Sequence, residues 1–532
     1  MSTHTDHHFT RLTEAALVDQ VVDAWLERRA PLFGFLFEAD ARAEAHTKSD
    51  VSAPSPLWIA VAPDTTAAAQ HTERFVIPAE LVSRITPLFR GPAVPYCVFS
   101  HAHAALSKLQ PHGVMPLRFG CIRTAATLLA EGADGRRDSR PLERSILDEL
   151  GTALPVMTST VAAASVRVAM LIPLLQSYTP KLRERGLAGC FELECRLLPA
   201  VIHMERAGMA VDTAAFERVA NTWLKQRESA DSSPLKARFD KLLSTYRYWA
   251  RDYADYEGRI HAHLHPLATD SGRFSCSQPN LQQVPSEHTA PGLRACFRPA
   301  AHRRLIIADY AQIELRVAAH LAPCEALREV FRRGVDPHRA TAATLTGKPE
   351  QRVSPHERKL AKAINFGFLF GMGARRFSKY AQDSFGLALS LAEAERARAA
   401  FFDTFPGIAA WHRRLSAWSR RGADESLVVR TALGRRKRFP AGGFSFTTAL
   451  NIPVQGTAAE GFKLAIIELE PALRSLGGQG TMCIHDEYIA EVPQDQAEVA
   501  CRRVREIMER CMATVVPSVP IVVEAHVASC WR

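Results

Sequence analysis

The sequence predicts a multidomain α/β protein, and three observations carry that reading. The chain has 532 residues, well beyond the roughly 100–200 of a single core, so roughly two to four domains are expected. Apolar runs with strand character, 31–40 (PLFGFLFEAD) and 56–63 (PLWIAVAP), are set among helical patterns in its first part. Farther on, a buried-strand pattern from Leu305 to Ala308 runs into a helix, and 481–493 (TMCIHDEYIAEVP) reads as two short strands about a tight turn.

In chain order, residues 11–30 read as a helix with apolar positions Leu12, Ala16, Val21, Val22, Trp25 and Leu26, ended by Pro31. The two strand-like runs follow. The stretch 132–141 (GADGRRDSRP) is a loop, and helical pattern then runs from Pro141 to about Gly208. The first α/β region is expected to end near residue 190. Residues 203–272 are polar and helical, with Trp223, Tyr246, Tyr248, Trp249, Tyr253 and Tyr256 among Arg and Lys. Such rings either track nucleic acid or pack, and the pattern leaves both open. In 303–322, Asp309 lies at the strand–helix junction, and Ile313, Val317, His320 and Leu321 form the apolar face of the helix. The tight turn falls at His485–Asp486, followed by alternation at Tyr488, Ala490 and Val492. In the helix 357–373, Arg358, Lys362, Phe366 and Phe370 recur every fourth residue, which places two cations and two rings on one stripe.

Composition narrows the function classes. Hydrophobic residues at 47% and charged residues at 23% exclude a disordered, collagenous or coiled-coil chain. No run of 18 apolar residues occurs, so no membrane span is expected. The first ten residues lack the pattern of a secretion signal, which predicts a cytoplasmic protein. Charge is uneven: residues 1–190 hold 19 basic and 19 acidic residues, and 191–532 hold 47 and 37. A basic region beside a neutral one suggests a polyanion partner; the plainer reading is a solvated basic surface. Eleven cysteines, with no CxxC pair, read as buried reduced thiols.

Alone, Asp309 reads as a helix cap and Asp486 as a turn residue. Brought to one edge of a sheet, the two carboxylates can bind two Mg²⁺ about 4 Å apart and support in-line phosphoryl transfer. The Arg358/Lys362 stripe would then grip a triphosphate.

At this point a family resemblance enters. The run from Asp309 to Arg316 (DYAQIELR) resembles motif A of family A DNA polymerases, the class of bacterial DNA polymerase I. Arg358-x3-Lys362-x2-Asn365-Phe366-Gly367-x2-Phe370-Gly371 resembles motif B, and His485-Asp486-Glu487 resembles motif C. The segments 271–275 (SGRFS), 279–285 (PNLQQVP), 433–436 (LGRR) and 451–459 (NIPVQGTAA) resemble the family's intervening segments in the same order. The resemblance implies an RNase H-like, exonuclease-type domain over 1–190 and a right-hand polymerase over 191–532. Its thumb would be about 203–272, its palm, an antiparallel sheet, about 273–330 and 430–532, and its helical fingers about 331–429. Template-directed DNA synthesis on a primer–template from deoxynucleoside triphosphates would be the activity, with two Mg²⁺, or Mn²⁺ as substitute.

The resemblance also implies roles. Asp309, Asp486 and the Tyr310 carbonyl would bind metal, with Glu487 an auxiliary acid. Arg358, Lys362 and His338 would contact the incoming phosphates. Phe366 and Phe370 would lie at the nucleotide, with Gln312 beside it, and Glu314 would be the gate against a ribose 2′-hydroxyl. Arg273, Asn280, Gln283, Arg435, Gln455 and His485 would contact DNA, where N3 and O2 acceptors allow sequence-blind contacts in the minor groove. A monomer associated with the nucleoid is expected, in repair, gap filling, lesion bypass or replication of a small replicon; accessory partners are not identified. Retained Glu314 argues against an RNA polymerase. The alternative from another class is a polymerase-derived, non-catalytic DNA-binding scaffold.

Departures from the family pattern carry their own expectations. Phe370 stands where the family usually has tyrosine, losing a hydroxyl that can bond the gate glutamate; Ala311 replaces a serine with little expected effect. Only 68 positions separate Glu205 from Arg273, so the thumb is short and processivity should be low. In the first domain, Leu36, Ala105 and Ser165 stand where exonuclease carboxylates are expected, and only Glu38 remains. Two-metal hydrolysis needs several carboxylates, so this domain is expected to be catalytically dead. No 5′-nuclease domain is expected in a chain of this length.

Overall fold

The computed structural model describes residues 9–29, 32–37, 57–62, 72–90, 95–132, 141–154, 160–421 and 425–532. Glu38 and most of the loop at 132–141 lie outside the described residues. The chain divides into two compact units, Met1–Ile202 and His203–Arg532. The sequence pattern placed the first boundary near 190. The division falls later because Cys195, Leu198 and Ile202, on the helix Ala188–Ala207, pack into the core of the first unit.

The first unit is built on a six-stranded sheet. Strand Leu32–Phe37 is paired antiparallel to Leu57–Ala62, which is antiparallel to Glu73–Ile77. On its other side it pairs parallel with Tyr96–Phe99, which pairs parallel with Phe119–Cys121. The short strand Thr10–Arg11 adds to Glu73–Ile77 in parallel. The first helix is therefore shorter than its pattern suggested. It spans Ala15–Arg28, and Arg29 at φ 48° ends it by turning the chain left-handed. The long helix Thr160–Glu184 lies on the sheet, and Gly34 permits the approach: a Cβ there would stand 3.1 Å from the Val168 carbonyl oxygen.

The second unit centres on a four-stranded antiparallel sheet, in the order Gln479–Ile484, Glu487–Pro493, Arg303–Tyr310, Val523–Ala528. Leu305 to Ala308 are buried because Arg303–Tyr310 is an inner strand with both edges paired. The helices Phe446–Arg474 and Ala497–Val515 pack against each other and against this sheet. Between the inner strand and Phe446 lies a run of helices, among them Ile313–Leu321, Pro337–Thr346, Pro355–Leu369 and Ala374–Phe385. Ahead of the sheet stand Thr213–Glu228, capped by the Asp212 carboxylate on Ala215 N–H at 2.8 Å, and Ser233–Tyr246.

The open question about the aromatics at 223–256 divides by residue. Trp223, Tyr246 and Trp249 are packing residues: Trp223 Nε1 donates to the Pro291 carbonyl at 3.2 Å, and the Tyr246 hydroxyl to the Gln283 carbonyl at 3.0 Å. Tyr248, Tyr253 and Tyr256 are exposed, and the Arg251 guanidinium lies 4.2 Å from the Tyr248 ring centre.

Gly456, in the middle of Phe446–Arg474, is where that helix meets two loops. A Cβ there would sit 2.3 Å from Thr431 Cγ2 and 2.9 Å from the Ser271 carbonyl oxygen. Gly456→Ala is expected to cost roughly 1–3 kcal/mol despite alanine's better helix propensity. Urea unfolding of the two proteins measures it, and an equal or higher midpoint for the variant contradicts the packing described.

Candidate active site

The carboxylates meet at one end of the four-stranded sheet. Asp309 faces Glu487 across one antiparallel ladder and Glu524 across the other. Asp486 lies in the two-residue turn that precedes Glu487. Both approaches contain a non-glycine residue in the left-handed region: Gln312 at φ 49°, just past the strand end, and His485 at φ 57° in the turn. Such residues persist where surroundings over-determine them, and at a two-residue hairpin a positive φ lets the turn follow the right-handed twist of the strands.

Burial first, and then the neighbouring carboxylates Asp486, Glu487 and Glu524, push the Asp309 carboxyl up to about 7. Burial also raises Asp486, with Arg273 opposing the shift and Glu314 adding to it. Glu487 is raised by burial too, against the Trp531 indole N–H that donates to it at 2.9 Å. Arg273 donates from Nη2 to Glu314 Oε1 at 2.7 Å. A small cavity beside the turn is lined by Arg273, Tyr310, Ile313, Phe462, His485 and Asp486. The Tyr310 hydroxyl is spent on the Met508 carbonyl at 2.8 Å, so the ring itself is engaged away from the turn.

Hard oxygen donors that are half-buried and crowded, and whose mutual repulsion a positive ion would relieve, fit a divalent cation. Among the described residues no group of three or more His, Cys, Asp or Glu converges as a closed metal cage.

A second cluster lies on the helices. Ser354 and Glu357 form a capping box that starts Pro355–Leu369. Arg358 donates from Nε and Nη2 to Asp336 Oδ2 at 2.9 and 2.5 Å. The other Asp336 oxygen caps Pro337–Thr346 by accepting from His338 N–H at 2.7 Å. Burial would raise the Asp336 carboxyl, but Arg358 and these backbone donors hold it below its usual range. Lys362 is exposed. The Phe366 ring lies 5.8 Å from His338, tilted by 45°. Phe370 is the residue after the last helical turn, so the stripe of four becomes three helical residues and a cap.

The remaining sequence candidates fall unevenly. His485 and Gln283 are exposed. Gln455 donates to Asn451 Oδ1 at 3.2 Å. Asn280 has a buried Oδ1 without a hydrogen-bond partner. Arg435 is 5% exposed and packs under Gly272, whose φ of 78° and missing Cβ make room for the guanidinium. It therefore supports the 271–275 segment from beneath and offers no open surface. Three site residues were missed: Glu524, Asp336 as the holder of Arg358, and Tyr380, whose hydroxyl is raised by burial and then by Glu314. The alternation in 523–528 and the Asp-Pro start of the helix were the available signals for the first two.

Comparison with known proteins accords with this geometry. The model of DNA polymerase family A matches residues 201–532. The chain belongs to DNA polymerase family A. A thermostable DNA polymerase I of Thermus filiformis is 39% identical over 285 residues, covering 52% of this chain and 32% of the relative. That of Thermus aquaticus is 35% identical over 347 residues, 63% of this chain and 39% of the relative. The chain thus spans about a third of these curated relatives. Among solved structures, the POL domain of Pol1 from M. smegmatis, in complex with DNA primer-template and dNTP, shares the fold. It has a TM-score of 0.80 at 20% identity, over 98% of this chain and 99% of that one.

The folded Asp309 holds its proton more tightly than the unfolded one. Ionising it therefore lowers stability as pH rises from about 4 to about 7. At pH 8, Asp309→Asn is expected to melt roughly 2–4 °C above wild type, with the gap closing toward pH 4. Mg²⁺ at pH 8 should raise the wild-type melting temperature and barely move the variant's. Thermal scans across pH check both, and a variant no more stable than wild type at pH 8 refutes the crowding.

Proposed function

We propose that this chain is a template-directed DNA polymerase that adds deoxynucleoside triphosphates to a primer 3′ end. The observation that carries the reading is the crowded carboxylate end of the sheet in a chain of family A. In this reading the palm comprises about 273–330 and 430–532, the fingers about 331–429, and a short thumb about 203–272. Asp309, Asp486 and the Tyr310 carbonyl would hold two Mg²⁺. When bound, the ions would polarise the attacking hydroxyl and neutralise charge on the transferring phosphoryl group.

The chain's own residues do the rest. Arg358 and Lys362 bind the triphosphate, with Asp336 fixing the fork of Arg358. His338 adds a contact, Phe366 stacks beside the nucleotide, and Gln312 borders it. Glu487, held by Trp531, sits near the primer end as an auxiliary acid. Glu314, held by Arg273, stands as the gate against a 2′-hydroxyl. Asn280, Gln283, Gln455 and His485 contact the primer–template. Primer extension with Mg²⁺ is expected for wild type and lost, by at least about a thousandfold, in Asp486→Ala. Absence of extension by wild type on any primer–template refutes the reading.

We read the first unit as an RNase H-like domain without exonuclease activity. The antiparallel triplet extended by two parallel strands supports the fold. Leu36, Ala105 and Ser165 are all buried and offer no carboxylate. The same gels should show no trimming of a mismatched 3′ end.

Phe370 leaves the gate without the family's usual hydroxyl. Phe370→Tyr is expected to lower ribonucleotide incorporation about fivefold, the worth of one hydrogen bond near 1 kcal/mol. Competition between dNTP and rNTP measures the ratio, and an unchanged ratio removes Phe370 from the gate.

A further inference from the structure

His338, Thr341 and Asn365 form a buried triangle between two helices, exposed by 2%, 0% and 1%. His338 and Thr341 lie on Pro337–Thr346 and Asn365 on Pro355–Leu369. Asn365 Nδ2 is 3.0 Å from His338 Nδ1 and 3.4 Å from the Pro337 carbonyl oxygen. Asn365 Oδ1 is 2.9 Å from the Thr341 hydroxyl, which also lies 2.8 Å from the Pro337 carbonyl.

The Pro337 carbonyl decides which way the amide faces. As placed, the two amide N–H groups meet two acceptors, and Oδ1 meets a hydroxyl that can donate. Turned over, Oδ1 would face the Pro337 oxygen and one of the two amide N–H groups would be buried without an acceptor, a cost that remains even with the Thr341 hydroxyl donating to Pro337 instead. With the amide so fixed, His338 Nδ1 is an acceptor, and the ring proton belongs on Nε2, at the opposite edge.

The surroundings keep the ring from taking a second proton. Burial acts first, and Arg358 and Lys362 add to it. Asp336 pulls the other way, but its carboxylate is engaged by Arg358 and by the backbone of His338 and Arg339.

We propose that Asn365 and Thr341 are positioning residues that lock His338 as the neutral tautomer with its proton on Nε2, so that the ring offers a fixed donor to the anion held by Arg358 and Lys362. The proposal rests on the reading of that helix as the triphosphate grip. A neutral donor gives one directional bond whose strength does not vary with pH. A cation would add to the attraction for the released diphosphate and slow its departure.

Two measurements on the full chain test this. In protein labelled with ¹⁵N-histidine, the His338 ring is identified by the signals lost in His338→Gln. It is expected to show an unprotonated Nδ1 and a protonated Nε2 from pH 8 down to about 5. Asn365→Asp replaces the donor with an acceptor, so Nδ1 should gain a proton and the titration midpoint should rise by about one unit or more. Thr341→Val frees the amide to turn and should give mixed tautomers. In the second measurement, the ratio of KM for dNTP in Asn365→Asp to that in wild type should change between pH 6 and 8.5, which cancels titrations the two share, and KM at pH 8 should rise about fivefold in His338→Gln.

A protonated Nδ1 in wild type, or a titration unmoved in Asn365→Asp, overturns the lock. The expected tautomer together with a KM indifferent to His338→Gln overturns the anion-facing role instead. The NMR arm needs no catalysis, so failure of the lock and failure of the polymerase reading are told apart.

Discussion

Like charges are forced together at one end of the antiparallel sheet, and the larger unit is arranged around that constraint. Opposed residues on adjacent antiparallel strands stand roughly 5 Å apart. The ladders 309–487 and 309–524 therefore leave three carboxylates no room to separate. A one-residue slip would relieve them, but it would also turn over every side chain from Leu305 to Ala308 and set each against neighbours of the wrong size in a core packed on both faces. Apolar burial along the strand thus fixes an unfavourable charge arrangement at its tip. The left-handed Gln312 and His485 are further cost at the same place. A site that is unfavourable when empty is one in which a cation and an anionic ligand can gain much by binding.

The helical cluster is the complement. Lys362 is exposed on the first half of Pro355–Leu369, while Arg358 is held by a carboxylate that also starts the neighbouring helix. Asp336 thereby couples the direction of a guanidinium to the placement of His338, and Asn365 couples His338 back to the helix that carries Arg358 and Lys362. One helix presents charge and the other presents a neutral ring, joined by one half-buried and one buried polar link. A metal-bound triphosphate is a ligand whose two kinds of charge answer both the carboxylate end and this helix.

What the sequence revealed of this followed from locality. The strand running into a helix at Asp309, the hairpin about His485–Asp486 and the helix bearing Arg358 and Lys362 each rest on a few adjacent residues; the first two are found where the pattern put them, and the helix is present but spans Pro355–Leu369 in place of 357–373. What it hid depends on distant neighbours. Glu524 matters only because its strand pairs beside Asp309. Arg435 was expected to contact DNA and is buried because Gly272 leaves a gap above it. The aromatic run at 246–256 could not be divided by pattern, since adjacent residues such as Tyr248 and Trp249 face water and core respectively. The boundary near 190 was misplaced for the same reason: a helix shows its period, and which core it serves is set by partners elsewhere in the chain.

Net charge is the weakest of the sequence signals once placement is known. The excess of basic residues after 190 counts every arginine equally, yet several do not face a ligand. Arg259 and Arg303 both engage Glu491, itself 1% exposed, at 3.0 and 2.9 Å. Arg316 is 6% exposed, with Nε on the Ala311 carbonyl at 2.7 Å. These groups hold the sheet and the junction after Asp309 together, and replacing them would alter the fold before it altered any polyanion contact. The cations that bear on function are few and are told apart by what they touch. Lys362 is open, Arg358 is aimed by Asp336, and Arg273 is tied to Glu314 while lowering the charge burden on Asp486. A polyanion site is thus defined by where the fold aims its positive groups and what holds them there, a property of register and packing that no count along the chain contains.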